Sequence, residues 1–279
     1  MADAWEDLKA HADAGLPLQA DAYRLAFNDP EFLLRRDTRG VRLQLEMLKP
    51  DLGQLEAHIH HTIVVFGGAR FCEASSAQAR LEQARAEGDQ RRIRQAERLV
   101  RNAHFYDEAR EFANLVARHS ASMAPEDRLY ICTGGGPGVM EAANRGAHDA
   151  GAPSVGLNIT LPHEQSGNAY VTPSLSFKFH YFAIRKMHFM MRAKALVAFP
   201  GGFGTLDELF ETLTLVQTKK AQLLPIILFG SAYWRRLINF EALVEEGAVS
   251  EEDLDIIHFV DEPRQAWDII AKFYRLEKT

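Results

Sequence analysis

From His61 onward the chain alternates short, almost wholly apolar runs with longer stretches patterned at helical spacing. This alternation constrains the fold more than any other feature. The apolar runs are Thr62–Phe66, Leu129–Cys132, Ser154–Ile159, Leu196–Phe199, Pro225–Phe229 and Ile257–Val260. A strand wetted on one face alternates apolar with polar residues, whereas a strand covered on both faces is apolar throughout. Helical patterns lie between the runs, over 104–122, 138–150, 181–193, 205–219, 232–246 and 263–275. Strand–helix–strand repetition with doubly buried strands predicts an α/β fold: a doubly wound, mostly parallel sheet with helices on both faces. Right-handed crossovers then gather the strand C-termini on one edge, where such sheets bind ligands.

Residues 1–58 read differently. Apolar residues recur at helical spacing among breakers such as Pro30, Gly40 and Pro50, with no strand pattern. This predicts an N-terminal helical extension on a main domain of 59–279. The Arg35, Arg36, Arg39 and Arg42 group reads as a solvated or salt-bridged face, or else as a nucleotide or nucleic-acid contact. An insertion over 75–103, rich in Ala, Gln, Glu and Arg with Gly88-Asp89 at its middle, reads as a helical hairpin or one broken helix. Its arginine excess leaves two readings, an exposed helix laced with ion pairs and a lid or subunit contact.

Composition narrows the function classes. Lys and Arg number 32 against 38 Asp and Glu, a formal charge of -6, which disfavours a nucleic-acid-binding protein. The acidic N-terminus lacks the pattern of a secretory leader, and no apolar run reaches the length of a membrane span. Cys72 and Cys132 make no disulfide framework. A cytoplasmic protein without membrane contact is expected. His58, His60 and His61 invite a metal reading but have no companion ligands nearby in sequence, so no metal and no cofactor is expected.

Two glycine-rich segments each follow a strand pattern and open a helix pattern. The first holds Gly134, Gly135, Gly136, Pro137 and Gly138; the second runs Pro200-Gly201-Gly202-Phe203-Gly204-Thr205-Leu206-Asp207-Glu208. Glycine lets backbone amides approach a ligand closely, and a helix N-terminus offers unpaired N–H groups and a partial positive charge, so phosphate is the natural guest. Both features also have plain structural readings. Glycines make tight turns without a ligand, and Thr205-x-x-Glu208 has the spacing of a capping box. Upstream of the second segment, Arg185 and Lys186 stand on an otherwise apolar helix pattern and call for an anionic partner or a snorkelling path to water.

Taken together these residues resemble the LOG ("lonely guy") family. The second segment matches its PGGxGTxxE motif, Arg185-Lys186 its RK pair, and Gly134 to Met140 its GGGxxGxM segment. The resemblance implies a modified Rossmann fold, no cofactor, and a homodimer or assembly of dimers. It also implies hydrolysis of the N-glycosidic bond of AMP or cytokinin riboside 5′-monophosphates, giving free base and ribose 5-phosphate. Arg185 and Glu208 are then the catalytic pair. Gly134, Gly135, Gly136, Gly138, Lys186, Gly201, Gly202, Gly204 and Thr205 are expected to bind the nucleotide and its phosphate. Glu211 and Glu164 are the reserve acids. The family's older label, possible lysine decarboxylase, fits poorly, because no constellation for pyridoxal phosphate surrounds Lys178, Lys186 or Lys194. The competing class is a catalytically silent nucleotide or cofactor carrier using the same loops.

Overall fold

The computed structural model describes residues 2–15, 24–160 and 167–276. The chain divides into two compact units, Met1–Lys49 and Pro50–Thr279. The division falls inside a helix rather than at residue 58.

The first unit holds helices α1 (Ala2–Asp13), α2 (Pro30–Leu34) and the start of α3 (Arg39–Glu56), with no strand among its described residues. Asp29 caps α2 by accepting from the amides of Glu31 and Phe32 at 3.1 and 3.2 Å, and Pro30 takes the first helical position, where a missing N–H costs nothing. Two of the four arginines are engaged locally: Arg42 donates to the Arg35 carbonyl at 2.7 Å, and Arg35 pairs with Asp37 at 3.3 Å. Gly40 and Pro50, read as breakers, both lie within α3. Packing in the second unit holds the turns beyond the proline. Gln54 is fully buried and donates to the Pro50 carbonyl at 3.1 Å, and Arg192 anchors Asp51 at 2.5 Å.

The second unit follows the order β1 (His61–Phe66), α4 (Ala74–Glu87), α5 (Gln90–Asn102), α6 (His104–Ala121), β2 (Leu129–Thr133), α7 (Val139–Asp149), β3 (Ser154–Ile159) and β4 (Ser176–Phe179). It continues with α8 (Phe182–Met191), β5 (Ala193–Ala198), α9 (Phe203–Gln217), β6 (Ile226–Phe229), α10 (Ser231–Leu237), α11 (Phe240–Glu245), β7 (Ile257–Val260) and α12 (Pro263–Phe273). The strands form one seven-stranded sheet in the order β4-β3-β2-β1-β5-β6-β7, and every pairing is parallel. Side chains alternate across it into two cores. Ile63 and Val65 of β1 pack with α6, α7 and α12; Val64 and Phe66 pack on the other face with α8, α9 and α10. The sheet is therefore doubly wound.

Two departures from the sequence reading have physical causes, and one open alternative is resolved. β4 was not anticipated: it is an edge strand whose Phe177 and Phe179 are buried while Ser176 and Lys178 are exposed, so it lacks the continuous apolar run of the inner strands. The stretch 232–246 is two helices, broken where the Asn239 side chain caps α11 by accepting from the Ala242 amide at 3.2 Å. The insertion is a hairpin. Gly88 takes a left-handed turn at φ 72°, and Asp89 caps α5 through the amides of Arg91 and Arg92.

The chain direction across the sheet reverses at β1, which has β2 on one side and β5 on the other. That reversal opens a crevice at the C-terminal edge. The loops after β1, β2 and β5 meet there, stitched by the Gly68 amide on the Pro200 carbonyl (2.9 Å) and the Val139 amide on the Gly68 carbonyl (3.2 Å).

Candidate functional site

The two glycine segments lie at this crevice, and the structure separates their roles. In the first, the fold itself requires Gly135 and Gly138, while Gly134 and Gly136 make room for side-chain ends. Gly135 and Gly138 have φ of 68° and 77°, and a Cβ on Gly138 would lie 2.2 Å from the Gly68 carbonyl oxygen. A Cβ on Gly134 would lie 2.6 Å from the Arg185 guanidinium, and one on Gly136 would lie 2.9 Å from the end of Met140. The Gly135 amide is already committed, donating to the Thr133 hydroxyl at 2.9 Å. Beneath it runs a polar chain that sequence reasoning missed. Thr133 donates to Asn144 at 2.7 Å, Asn144 donates to Ser154 at 2.9 Å, and Asn168 donates to both Asn144 and the Gly136 carbonyl at 3.0 Å. Isolated Asn and Thr residues in a helix pattern and a loop carry no spacing signal that could have shown this.

The second segment is different. A Cβ on Gly201 would collide with Thr205 at 2.1 Å, so that glycine seats the Thr205 side chain. Gly202 and Gly204, however, face open space and have ordinary backbone angles. Nothing within the chain requires a glycine at either position. They flank the first amides of α9, which have no intrahelical acceptor.

The capping-box reading of Thr205 and Glu208 does not hold. The helix begins two residues earlier than its pattern indicated, with Gly202 at the N-cap and no side chain capping it. Thr205 and Glu208 belong instead to the buried stripe of α9, with Leu209, Thr212 and Val216. A glutamate in such a stripe takes its carboxyl out of water. Glu208 is only 7% exposed, and among the described residues no hydrogen bond to its carboxyl is found. Burial pushes that carboxyl up to about 7, against the opposing pull of Arg185 and then Lys186.

Arg185 rises from α8 between the first glycine loop and this carboxyl. Its Nε donates to the Leu157 carbonyl at 2.7 Å and its guanidinium lies over the Phe189 ring at 5.0 Å. Burial lowers its proton affinity while the nearby Glu208 charge raises it, yet the two do not close a salt bridge. Lys186 points elsewhere: it lies 2.9 Å from Asp207 and 2.8 Å from Glu211 on the outer face of α9. The structure thus gathers Arg185, Thr205, Glu208 and the glycines at one crevice, and holds Lys186 on two carboxylates beside it. Glu164 lies outside the described residues. Cys132, buried beneath, has its thiol pushed up to about 12 by burial, which leaves it protonated and inert. No group of three or more potential metal ligands comes together among the described residues, and no described helix is long and apolar enough to cross a membrane.

The likeness to the LOG family holds in sequence comparison. Residues 140–270 match the family described as "Possible lysine decarboxylase". The cytokinin riboside 5′-monophosphate phosphoribohydrolases LOG3 and LOG4 of Arabidopsis thaliana are each 30% identical over 127 residues, which cover 44% of this chain and 58% of theirs. The pyrimidine/purine nucleotide 5′-monophosphate nucleosidase of Escherichia coli is 30% identical over 146 residues, covering 45% of this chain and 30% of that one. The chain thus spans somewhat over half the length of the curated plant relatives it matches. Among solved structures, the Moco carrier protein from Chlamydomonas reinhardtii is 20% identical with a TM-score of 0.46, over 78% of this chain and 99% of that one.

The buried carboxyl makes a sign-definite prediction. Its ordinary value is 4.5 and its folded value about 7, so between these the folded chain holds a proton that the unfolded chain has released. Glu208 therefore contributes stability that is whole below pH 4.5 and is lost as pH rises through about 7, on the order of 3 kcal/mol. Gln mimics the protonated form at every pH. Glu208→Gln should unfold at nearly the wild-type temperature at pH 5 and at a clearly higher one at pH 8. A gap that does not change between the two pH values contradicts the burial account.

Proposed function

We propose that this chain is a nucleoside 5′-monophosphate phosphoribohydrolase, which uses water to split the bond between ribose C1′ and the base. The observation that carries this reading is Glu208: a buried, unbonded carboxyl facing Arg185 below a helix N-terminus whose glycines open onto empty space. The names of the matched relatives support the substrate class.

In this reading the 5′-phosphate sits on the first amides of α9, at Gly202, Phe203 and Gly204, with the Thr205 hydroxyl beside it. That contact is remote from the reacting bond and orients the sugar. As the C1′–N bond breaks, the electron pair leaves with the base and positive charge develops on the ribose. The ionised Glu208 stabilises that charge, orients the attacking water and accepts its proton. The base takes up a proton on departure, so the products are free base and ribose 5-phosphate. Arg185 favours the ionised form of Glu208 against the cost of burial and reaches the nucleotide from the side of the first loop. A carboxyl poised near neutrality suits this proton transfer, whereas a carrier that only holds phosphate has no use for a buried acid.

Incubating the protein with AMP and, separately, adenosine tests the reading, with free adenine scored by chromatography. Adenine should form from AMP and far more slowly from adenosine. Glu208→Gln should retain AMP binding but lose about a hundredfold or more in turnover. Equal release from adenosine overturns the phosphate assignment. AMP binding without any release of adenine makes the protein a carrier instead.

We also propose that a second copy of the chain covers the outer faces of α8 and α9. Phe182, Met187, Met191 and Phe210 are well exposed there, and Phe203 is 91% exposed at the lip of the phosphate loop. An apolar cluster of this kind on a soluble chain marks an interaction surface. Light scattering at micromolar concentration should give at least twice the chain mass of 31.4 kDa. The mass of one chain contradicts the proposal.

A further inference from the structure

The α4–α5 insertion carries a feature that the phosphoribohydrolase reading does not use. Arg91, Arg94 and Arg98 of α5, with Gln95, face Arg70 of the loop after β1 across a cavity of about 480 Å³. No carboxylate lines it, and among the described residues none of these four arginines forms an ion pair. The acid–base pairing of this hairpin goes to Arg92 instead, which binds Glu87 and Asp89.

A second cavity, of about 650 Å³, shares Arg70, Gln95 and Arg98 with the first, adds Arg80, and extends to Pro137 and Gly138 of the first glycine loop. Its two carboxylates are already engaged. Glu73 is bound by Arg145, with Arg110 at 4.0 Å, and Glu141 accepts from the Tyr106 hydroxyl at 2.9 Å. Neither carboxylate forms an ion pair with Arg70, Arg80 or Arg98.

The fold does not need this arrangement. The hairpin packs through Leu81, Ala84 and Ala96 with Ile93, on the faces away from the arginine stripe. Like charges three and four residues apart on one helix face destabilise that helix. Guanidinium groups stay charged at every physiological pH and bind phosphate oxygens two at a time. Arg91 to Arg98 spans about 10 Å at 1.5 Å per residue, long enough for several linked phosphates rather than one. The arginines, all exposed, face one another across a concave site between the hairpin and the β1 loop, and its small extent favours a compact ligand over a nucleic-acid strand.

We propose that Arg70, Arg91, Arg94 and Arg98 form a second anion site, separate from the N-terminus of α9, that takes an oligophosphate chain. The chain is either free or borne by a nucleotide whose remainder extends into the larger cavity beside Phe71 and Leu99. This inference does not depend on the hydrolytic reading.

Calorimetric titration of the full chain with inorganic tripolyphosphate, orthophosphate and ATP tests it, alongside the triple variant Arg91→Ala/Arg94→Ala/Arg98→Ala. Wild type should bind tripolyphosphate at least about tenfold more tightly than orthophosphate, and more weakly as salt rises. The triple variant should lose about tenfold or more in tripolyphosphate affinity. Its melting temperature without ligand should be unchanged or higher, and its action on AMP unchanged. ATP binding as tightly as tripolyphosphate identifies a nucleotide as the bearer; weaker ATP binding identifies a free oligophosphate. Equal affinity for tripolyphosphate and orthophosphate overturns the proposal. So does a triple variant that binds tripolyphosphate like wild type, since the ligand then sits elsewhere. A single-stranded oligonucleotide that outcompetes tripolyphosphate on wild type but not on the variant also overturns it, in favour of a nucleic-acid surface.

Discussion

The parallel register of β1 with its two neighbours sets the level at which everything else meets. Val64 pairs with Cys132 of β2, and Phe66 with Ala198 of β5, so three strands end together at one edge of the sheet. Their loops can then be tied backbone to backbone, Gly68 to Pro200 and Val139 to Gly68. A side chain on Gly67 or Gly138 would force these loops apart. With the loops locked, Arg185 of α8 and Glu208 of α9 come near enough for each to act on the other's charge.

Within that crevice the two glycine segments divide the work. The first is a structural cradle, made tight by a buried Thr133–Asn144–Ser154 hydrogen-bond chain, and Gly134 leaves room for the Arg185 guanidinium. In the second, Gly202 and Gly204 have open space where a side chain would stand, and the first amides of α9 have no intrahelical acceptor. The cost of the arrangement is electrostatic: α9 turns a carboxyl into the core where its stripe would otherwise be apolar or neutral. Arg185 opposes that cost only in part, because it is itself desolvated and closes no salt bridge with Glu208. A site of this kind is strained in charge rather than in backbone, and it is the part of the molecule least explained by folding alone.

Most of the sheet was legible in the sequence because its inner strands are buried on both faces and announce themselves as apolar runs. β4 escaped because only Phe177 and Phe179 are buried in it. Pro50 misled because propensity speaks for local backbone, whereas Gln54 and Asp51 show tertiary contacts holding the helix beyond it. Motif resemblance singled out Arg185, Thr205 and Glu208, and the structure places Arg185 and Glu208 near enough for each to act on the other's charge. Motif spacing could not say that Glu208 lies in a buried stripe, since that depends on α9 starting at Phe203 rather than Thr205. Nor could it tell Arg185, which turns inward, from its neighbour Lys186, which is held by Asp207 and Glu211.

The central claim is that Glu208 is a desolvated carboxyl poised near neutrality in the folded chain. Carbon-detected NMR of protein labelled at the glutamate side-chain carboxyl carbon tests this directly, with Glu208→Gln to assign the resonance. The glutamate resonance absent in the variant should titrate near pH 7. If the resonance lost in Glu208→Gln titrates below pH 5, the carboxyl is solvated or firmly paired, and the account of the site fails.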